Sequence, residues 1–460
     1  MQGPALDKIF LARPARTDRV YSKLSKFEAG VSPYSKRYLE LGYTPEETEL
    51  LIAFRVTPRS GTSIEEAASA IAAESSVGTW TEVELGDEEK YSKFKARVYR
   101  IDDNIAYTSY PLVLFEENSI PNILSSVVGN IFGFKAVSAL RIEDMRIPLP
   151  LVNTFLGPAF GINGVRKVLG VKDRPMTGST VKPKLGNSPK EHAYVAYNTL
   201  RGGIDTVKDD ENLNSQSWSN FYERADETLK AVEKAEKETG ESKGWWANVT
   251  AGDTEEMLKR CKYVAKNGGK FVMVDYLTVG FAATASLRKL TGELGLALHC
   301  HRAMHAVIDR QSNHGVEFKV LAKWARLVGV DHIHTGTGVG KLEGEFQDLK
   351  DRCNLLRKSY TPKEGGLYFD QPWGDIKTVV PVASGGLHPG HVWKVYETYG
   401  KDAFFLFGGG CHGHPAGSFA GAKAVRAAVE AAAAGVSPQE AAQKSKELQQ
   451  AIELWGGVTF

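Results

Sequence analysis

The chain has 460 residues, with 57 Lys and Arg against 55 Asp and Glu, which gives a formal net charge of +2. Hydrophobic residues make up 42% and charged residues 24% of the sequence, values typical of globular proteins that exclude a disordered or fibrous chain. The balanced charge argues against broad nucleic-acid binding, which needs a basic excess. No apolar run approaches the length of a membrane span. Four widely spaced cysteines favour a reducing compartment, so we expect a cytoplasmic protein.

Residues 1–155 are predicted to form a first domain of the α+β class. Residues 1 to about 45 are charged, with Pro and Gly scattered among them, so we expect a loosely structured arm there. Beyond the arm, strands are grouped with helices rather than strictly alternating with them, which favours an α+β arrangement. The predicted strands are 47–56, 80–85, 94–102 and 106–115, and the predicted helices are 63–76 and 122–134.

Residues 156–460 are predicted to form an α/β domain, a (β/α)8 TIM barrel with C-terminal helices. Eight short, apolar, β-rich runs are separated by amphipathic helical stretches over about 250 residues, the number and size typical of this barrel. An open, doubly wound sheet is the alternative, but it usually has fewer parallel strands. The Ala-rich segment from 418 to about 455 is interpreted as closing helices. The eight predicted strands are 179–185, 203–209, 245–251, 270–276, 296–302, 331–337, 379–385 and 403–409.

Polar side chains are concentrated where these predicted strands end. In a TIM barrel the catalytic groups lie at the carboxyl ends of the strands, in the loops that follow them. Ten of the eleven histidines lie between residues 299 and 414, so they are not scattered over the surface. The candidate residues at these positions are Lys182, Lys184, Lys208, Asp210, Glu211, His301, Arg302, His334, Lys341 and Ser384.

The acidic segment 208–212 follows the second predicted barrel strand. Its three carboxylates and one Asn could hold a hard cation such as Mg2+, which prefers one or two carboxylates plus water and substrate oxygens. A solvated acidic turn that caps the next helix is an equally good interpretation. The ammonium group of Lys208 is unfavourable beside a dication. That conflict disappears if the amine is neutral or is converted to an anion, and spacing alone does not decide between these cases.

Two glycine loops indicate phosphate binding. Gly408–Gly410 follow the eighth predicted strand and Ser384–Gly386 follow the seventh, and loops at these positions form the usual phosphate site of the barrel. With Arg302, His334 and Lys341, they indicate a substrate with two phosphates. The alternative is that these glycines merely allow tight turns.

Two histidines share one face of the fifth predicted barrel strand, and a glycine-rich loop follows the sixth. We expect His299 to be packed in the core and His301 to transfer protons, because a zinc site lacks a third ligand at suitable spacing. The loop 334–345 fails the nucleotide-binding Walker pattern at Thr335 and Leu342. It is better interpreted as a lid that delivers Lys341, with an ordinary surface loop as the alternative.

Long motifs in both domains identify the chain as similar to one family. Segments 180–186, 202–216, 301–311, 334–345, 381–391 and 407–415 closely resemble the large chain of ribulose-bisphosphate carboxylase/oxygenase, Rubisco. Segments 72–83 and 129–136 extend the resemblance into the first domain. The resemblance implies CO2 fixation on ribulose 1,5-bisphosphate, with O2 as a competing substrate.

The resemblance also implies roles for individual residues. Lys208 would bind a non-substrate CO2 as a carbamate and hold Mg2+ together with Asp210 and Glu211. The carbamate would take the C3 proton of the substrate. Lys182 would protonate the final carbanion, and Lys184 would polarise the substrate nearby.

The remaining roles implied by the resemblance involve two chains. His301 would assist hydration, and Lys341 on the lid would orient CO2. Glu74 from the partner subunit's first domain would hold that lysine, and Asn130 would also reach in from the neighbour. The substrate-binding residues would be Arg302, His334 and Ser384 at one phosphate and Thr79, Trp80, Gly386, Gly408, Gly409 and Lys341 at the other, with Thr180 and Gly385 also in the site.

The resemblance makes a homodimer the smallest active unit and an octamer of large chains the expected assembly, with a small subunit left open. We place the chain nearer to the plant and cyanobacterial lineage than to the dimeric proteobacterial type. Gly338 departs from the plant-like lid, where a bulkier residue is common. Two alternatives are a Rubisco-like enolase or isomerase and a non-catalytic scaffold that binds sugar bisphosphates. Both are disfavoured because the metal, lid and phosphate residues are present.

Overall fold

The computed structural model describes residues 30–83, 88–339 and 346–456. Most of the predicted N-terminal arm therefore lies outside the described residues. Its described part contains one short helix, α1 (Ser35–Tyr38). The backbone N–H groups of Tyr34 and Ser35 donate to the Glu66 carboxylate at 2.8 and 2.9 Å, so this segment is tied to the first domain.

The first domain is built on a mostly antiparallel five-stranded sheet in the order β10-β4-β1-β3-β2. Its strands are β1 (Leu50–Pro58), β2 (Arg97–Asp102), β3 (Ile105–Tyr110), β4 (Val137–Arg146) and the short β10 (Gly315–Val316). Because β10 comes from the barrel half of the chain and pairs parallel to β4, the sheet joins the two domains. The α+β prediction is confirmed.

Two predictions in this domain need correction, and one strand was missed. The predicted strand at 80–85 is wrong for its described part, 80–83, because the Glu82 N–H donates to Gly30 O instead of to a neighbouring strand. Strand β4 was not predicted, because its sequence is interrupted by charged residues. The predicted helix 122–134 is broken near Gly129, where a side chain would meet Ser125 O at 2.2 Å.

The helices of the first domain pack against this sheet. The longest begins after Ser63, whose side chain accepts a hydrogen bond from the Glu66 N–H, the usual N-cap arrangement. The other helices are short. The helices are α2 (Ile64–Glu74), α3 (Glu88–Tyr91) and α4 (Ile120–Val127), with single 3-10 turns at Ser92–Phe94, Leu112–Leu114 and Asn130–Gly133.

The second domain is a closed barrel of eight parallel strands, in the order β11-β14-β15-β5-β6-β7-β8-β9. A strand is confirmed at each of the eight predicted positions, and each is shorter than its predicted run, mainly because the polar residues at its end belong to the following loop. The first is also shifted, since it begins at Met176 and shares only residues 179 and 180 with the predicted run 179–185. The strands are β5 (Met176–Thr180), β6 (Thr206–Lys208), β7 (Gly244–Asn248), β8 (Phe271–Asp275), β9 (Ala297–His301), β11 (His332–Gly336), β14 (Val380–Ala383) and β15 (Phe404–Phe407). A small separate hairpin pairs β12 (Tyr360–Thr361) with β13 (Gln371–Pro372).

Helices surround the barrel, and the predicted Ala-rich closing helices are present. Helix α7 begins with a capping box between Ser188 and Glu191, which stabilises its first turn. The helices are α5 (Leu149–Val152), α6 (Gly161–Leu169), α7 (Pro189–Arg201), α8 (Phe221–Thr239), α9 (Thr254–Lys266), α10 (Tyr276–Val279), α11 (Phe281–Leu294), α12 (His305–Asp309), α13 (Phe318–Val328), α14 (Phe346–Arg357), α15 (Val392–Tyr399), α16 (Gly409–His412), α17 (Gly417–Ala433), α18 (Pro438–Lys444) and α19 (Lys446–Trp455), with a 3-10 turn at Pro389–His391.

Large side chains fill the barrel interior. The ring of Trp246 stacks on His332 with centroids 5.1 Å apart and an interplanar angle of 9°, and on His299 at 4.1 Å. Burial lowers the pKa of His332 to about 3, so this ring is neutral. His299 is fully buried, as expected. The barrel is thus a packed core, and an open site is left only at its ends.

Candidate active site

A cleft of about 520 Å³ opens at the carboxyl ends of the barrel strands. It brings together candidate residues from six strand ends that are far apart in the sequence. Because parallel strands all end at this face, the topology itself collects the polar side chains here. The cleft is lined by Thr180, Lys182, Lys208, Asp210, Glu211, His301, His334, Ser384, Gly385, Gly386, Leu387, His388, Leu406, Phe407, Gly408, Gly409, Gly410 and Trp455.

Lys208 lies at the floor of the cleft, at the end of β6, and is 1% exposed. Its Nζ donates to the backbone oxygen of Asp209 at 2.7 Å and lies 3.9 Å from Glu211 Oε2. Burial lowers the pKa of this amine, while Glu211 and Asp210 oppose that shift. Burial therefore favours the neutral, nucleophilic form of this lysine, in contrast to a lysine on the surface.

Two carboxylates flank the amine, not three. Asp210 Oδ2 accepts a hydrogen bond from Lys182 Nζ at 2.8 Å, and Oδ1 faces the side-chain amide of Asn212 at 3.2 Å. Burial raises the pKa of Asp210, but Lys182 outweighs it and the net shift is downward. Asp209 does not line the cleft. Of the three carboxylates in segment 208–212, only those of Asp210 and Glu211 face the site.

His301 is held between two acidic residues at the end of β9. Its Nδ1 lies 3.2 Å from Asp275 Oδ1, and its Nε2 lies 3.5 Å from Glu211 Oε2. Nδ1 accepts a hydrogen bond from the Ala303 N–H at 3.1 Å, which fixes the orientation of the ring and leaves Nε2 beside Glu211 in the cleft. This arrangement suits a group that moves protons.

His334 and Ser384 form the opposite wall of the cleft. Ser384 Oγ lies 2.5 Å from His334 Nδ1, and His334 Nε2 lies 3.0 Å from His299 Nε2. Burial lowers the pKa of both histidines well below the usual value, so the pair is neutral. Neutral hydrogen-bonding groups of this kind can orient an anion without adding charge.

The two glycine loops approach the cleft closely. Gly385 and Gly386 have φ values of +118° and +84°, which side-chain-bearing residues rarely adopt. At Gly408 an added Cβ would lie 3.4 Å from Lys182 Cε. Glycine is therefore required for the conformation at Ser384–Gly386, and Gly408 leaves the backbone beside Lys182 uncovered.

Several candidates do not line the cleft of a single chain. Arg302 is buried behind it, and Lys184 is exposed outside it. In the first domain Asn130 Nδ2 donates to Glu74 Oε1 at 3.5 Å, so these two candidates do lie together. Thr79 and Trp80 also belong to that domain, and Trp80 is 68% exposed. Lys341 lies outside the described residues.

His388 and Trp455 are among the cleft residues that were not predicted. His388 follows the Ser384–Gly386 loop and is 6% exposed. Trp455 ends helix α19, and its ring centroid lies 6.0 Å from that of His388. His388 lies within segment 381–391, so that motif was a usable signal. Trp455 gave no signal, because an aromatic residue at the end of an amphipathic helix usually only packs against the core.

A larger cavity of about 690 Å³ lies at the other end of the barrel. Most of its charged groups are paired with one another, and the other two, Lys172 and Asp173, are exposed. Arg174 Nη2 lies 2.7 Å from Asp205 Oδ1, and Arg426 Nη2 lies 2.9 Å from Glu241 Oε1. This cavity therefore carries structural ion pairs rather than groups available for chemistry.

The donor set around Lys208 fits a hard cation only in part. In the described ranges no cluster of three or more His, Cys, Asp and Glu side chains could hold a metal ion. Asp210 and Glu211 supply two carboxylates of the kind that Mg2+ prefers.

A barrel with an acidic cluster on one side of its mouth and two glycine loops on the other defines an enzyme that acts on a phosphorylated substrate. Two family profiles match the chain: the N-terminal domain of the ribulose bisphosphate carboxylase large chain over residues 37–151, and its catalytic domain over 161–455. The chain belongs to this family. It catalyses the carboxylation of ribulose 1,5-bisphosphate, the reaction that fixes CO2.

Solved structures agree with this assignment. A dimeric archaeal Rubisco from Hyperthermus butylicus is 48% identical, with a TM-score of 0.88, over 93% of this chain and 100% of that one. An octameric Rubisco from Pyrococcus horikoshii OT3, crystallised with sulfate ion, is 42% identical, with a TM-score of 0.86, over 93% and 98%. Both relatives are archaeal, so the expected placement near plant and cyanobacterial chains is not supported. Over the described ranges, no helix is both long and apolar enough to span a membrane.

Proposed function

We propose that carboxylation takes place in the cleft around Lys208, after this lysine has taken up a CO2 molecule that is not the substrate. The observation that carries this proposal is the near-complete burial of an amine beside two carboxylates, where a third metal ligand is missing. An unmodified ammonium at this position would repel a dication.

The activation step changes the sign of the charge on Lys208. The neutral amine attacks the carbon of CO2, a C–N bond forms, and one proton leaves to solvent, which converts the side chain into an anionic carbamate. With Asp210 and Glu211, the carbamate would complete three oxygen ligands for Mg2+. The ion, when bound, would supply the positive charge that stabilises an enediolate.

Three further residues would move protons. The carbamate of Lys208 would take the C3 proton of ribulose 1,5-bisphosphate. His301, oriented by the Ala303 N–H that donates to its Nδ1 at 3.1 Å, would assist the hydration that follows CO2 addition. Lys182 would protonate the final carbanion, with Lys184 polarising the substrate nearby. The hydrogen bond from Lys182 Nζ to Asp210 Oδ2 at 2.8 Å holds this amine at the edge of the cleft.

The two phosphates of the substrate would occupy the two sides of the glycine-loop wall. One would lie near Arg302, His334 and Ser384, and the other on the backbone of Gly386, Gly408 and Gly409 with Thr79 and Trp80 of a partner chain. Thr180 and Gly385 would line the space between them. This span would hold the sugar with its C2 and C3 facing Lys208.

The active unit would contain two chains. Four candidates in the first domain do not line the cleft of their own chain, which supports a site shared between subunits. They are Glu74, Thr79, Trp80 and Asn130. The related structures are a dimer and an octamer, so we propose a homodimer as the minimal unit and an octamer as a possible larger assembly. O2 would compete with CO2 for the same enediolate, which makes oxygenation the expected side reaction.

A labelled-CO2 assay tests this proposal. The protein is incubated with bicarbonate and Mg2+, ribulose 1,5-bisphosphate is added, and acid-stable label from radioactive CO2 is counted. We expect fixation by the unmodified chain and none above background for Lys208→Ala. Lys243→Ala is the matched control, because Lys243 is also fully buried but lies at the amino end of β7. It should retain fixation, and equal activity of Lys208→Ala and the unmodified chain would refute the proposal.

A further inference from the structure

A second buried arginine lies behind Arg302. Arg352, on helix α14, is 7% exposed, and Arg302 is 5% exposed. The guanidinium carbons of Arg302 and Arg352 lie 4.8 and 5.2 Å from the ring centroid of Phe318. Two positive charges therefore share one aromatic ring in a region that excludes most water.

The two guanidinium groups converge on the end of β11. Arg302 Nη2 and Arg352 Nη1 lie 3.6 and 3.9 Å from the point that a Cβ on Gly336 would occupy. Arg352 Nη1 also donates to Thr335 O at 3.2 Å. These residues directly follow His334, so the arginine pair adjoins the His334 wall of the cleft.

The pair lacks enough negative charge. Within the part of the chain that the structure describes, the Arg302 guanidinium forms no ion pair, and Arg352 has one, to Glu317 Oε1 at 3.5 Å. The other oxygen of Glu317 is bound by Arg141. The Arg352 Nε atom is buried without a hydrogen-bond partner. Asp309 is the other acidic group that acts on Arg302, but its Oδ2 lies 2.9 Å from His305 Nδ1. The positive charge of the two arginines thus exceeds the nearby negative charge, and such an excess is costly unless an anion compensates it.

The lowered pKa of Arg302 agrees with this excess of positive charge. Burial, and next the neighbouring charge of Arg352, lower the pKa of Arg302 to about 10. Arg302 therefore still carries a full positive charge at neutral pH beside the guanidinium of Arg352. Their mutual repulsion is therefore present in the empty site and would be relieved by a bound dianion.

We infer that Arg302 and Arg352 form a paired-guanidinium anion site, in which Arg302 contacts a phosphate group of the substrate and Arg352 is a positioning residue that adds a second positive charge from behind. The inference rests on the proposed function for the identity of the substrate. The chemistry of the ligand does not depend on the proposed function, because any phosphate dianion would compensate the same excess of positive charge.

The test uses inorganic phosphate as the probe and measures its affinity by calorimetry, which requires no turnover. Arg352→Gln should weaken phosphate binding roughly tenfold, about 1.4 kcal/mol, whereas Arg352→Lys should stay within about twofold of the unmodified chain. When Arg302 is already replaced by Gln, adding Arg352→Gln should change phosphate affinity by less than about twofold. Arg352 then acts on the phosphate bound at Arg302 and not on a phosphate bound at the glycine loops.

Two controls separate charge from damage to the fold. Arg326 is as deeply buried but donates only to backbone oxygens such as Leu355 O and Lys358 O, so Arg326→Gln should leave phosphate affinity unchanged. Glu317→Gln removes the negative charge beside Arg352 and should strengthen phosphate binding about twofold to threefold. A misfolded variant would not bind more tightly, so this opposite sign tests the inference even if Arg352→Gln does not fold.

Steady-state kinetics give the second readout. Arg352→Gln should raise the KM for ribulose 1,5-bisphosphate about tenfold and change kcat less than about twofold. Unchanged phosphate affinity in Arg352→Gln, an equal loss in Arg352→Lys, or weaker binding in Glu317→Gln would overturn the inference. Absence of carboxylation by the unmodified chain would instead refute the proposed function, while the phosphate measurements would still stand.

Discussion

Arg224 Nε lies 3.4 Å from Asp209 Oδ2, and neither side chain is exposed to solvent. Asp209 Oδ1 also accepts from Trp245 Nε1 at 2.8 Å, and Oδ2 accepts from the Asn248 N–H at 3.1 Å. The residue between Lys208 and Asp210 is thus anchored outside the cleft. Its role is to fix the loop that carries the proposed metal ligands.

This anchor predicts a pH-dependent contribution to stability. Burial raises the pKa of Asp209, but Arg224 and hydrogen bonds from His192 and Trp245 outweigh it and bring the pKa down to about 2. Because the pKa of Asp209 is lower in the folded chain than its unfolded value near 4, the ionised carboxylate stabilises the fold at pH values above about 4. About 2 kcal/mol of this stability is lost as the pH falls from about 4 towards 2. Asp209→Asn should remove that dependence and lower the free energy of unfolding at pH 7 by about 3 kcal/mol, because Arg224 is left unpaired.

Urea unfolding measures both effects, with exposed Asp173→Asn as the control that should change stability by less than about 0.5 kcal/mol. An unchanged pH profile for Asp209→Asn would contradict this account.

The proposed role of Lys341 separates two steps of the reaction. Lys341→Ala should retain exchange of the C3 proton of ribulose 1,5-bisphosphate within about threefold, because enolisation is assigned to Lys208. Fixation of CO2 should fall at least about a hundredfold, since the group that orients CO2 is gone. Tritium release from C3 and label incorporation from CO2 measure the two steps on the same sample. Equal loss of both would mean that the lysine acts before CO2 enters.

A shared site predicts complementation between inactive variants. Glu74→Gln impairs the site of the partner chain, whereas Lys208→Ala impairs the site of its own barrel. A mixed dimer therefore keeps one intact site out of two, and random exchange of subunits should restore about a quarter of the unmodified activity. The measurement is CO2 fixation after the two inactive variants are dissociated and reassembled together. No recovery, with mixed dimers present by native mass spectrometry, would place Glu74 in the site of its own chain.

The barrel could be predicted from the sequence and the first domain only in part. All eight barrel strands are short and almost entirely buried, and most are rich in apolar or β-branched residues, so their composition marks them. Strand β4 carries charged residues because its side chains form ion pairs, as between Arg141 and Glu143, and this hides the apolar pattern. The segment 80–83 has a strand-like alternation but lies against residues 30–37 instead of a sheet edge.

The site could be predicted where motifs lie at strand ends. Lys208, Asp210 and Glu211 were expected to face the cleft because Lys208 ends a buried strand and the two acidic residues follow it. Asp209 was counted with them, because sequence alone does not show on which side of the strand a side chain lies in an irregular turn. Arg352 and Trp455 come from helices distant in the sequence, and only the folded arrangement brings them to the cleft or behind it.

The state of Lys208 in the activated protein tests the central claim most directly. The protein is equilibrated with 13C-labelled bicarbonate and Mg2+, and its 13C NMR spectrum is compared with that of Lys208→Ala. We predict one carbamate resonance per chain that is missing in the variant and that broadens when Mn2+ replaces Mg2+. A chain that fixes CO2 while its Lys208 amine stays unmodified would contradict the account.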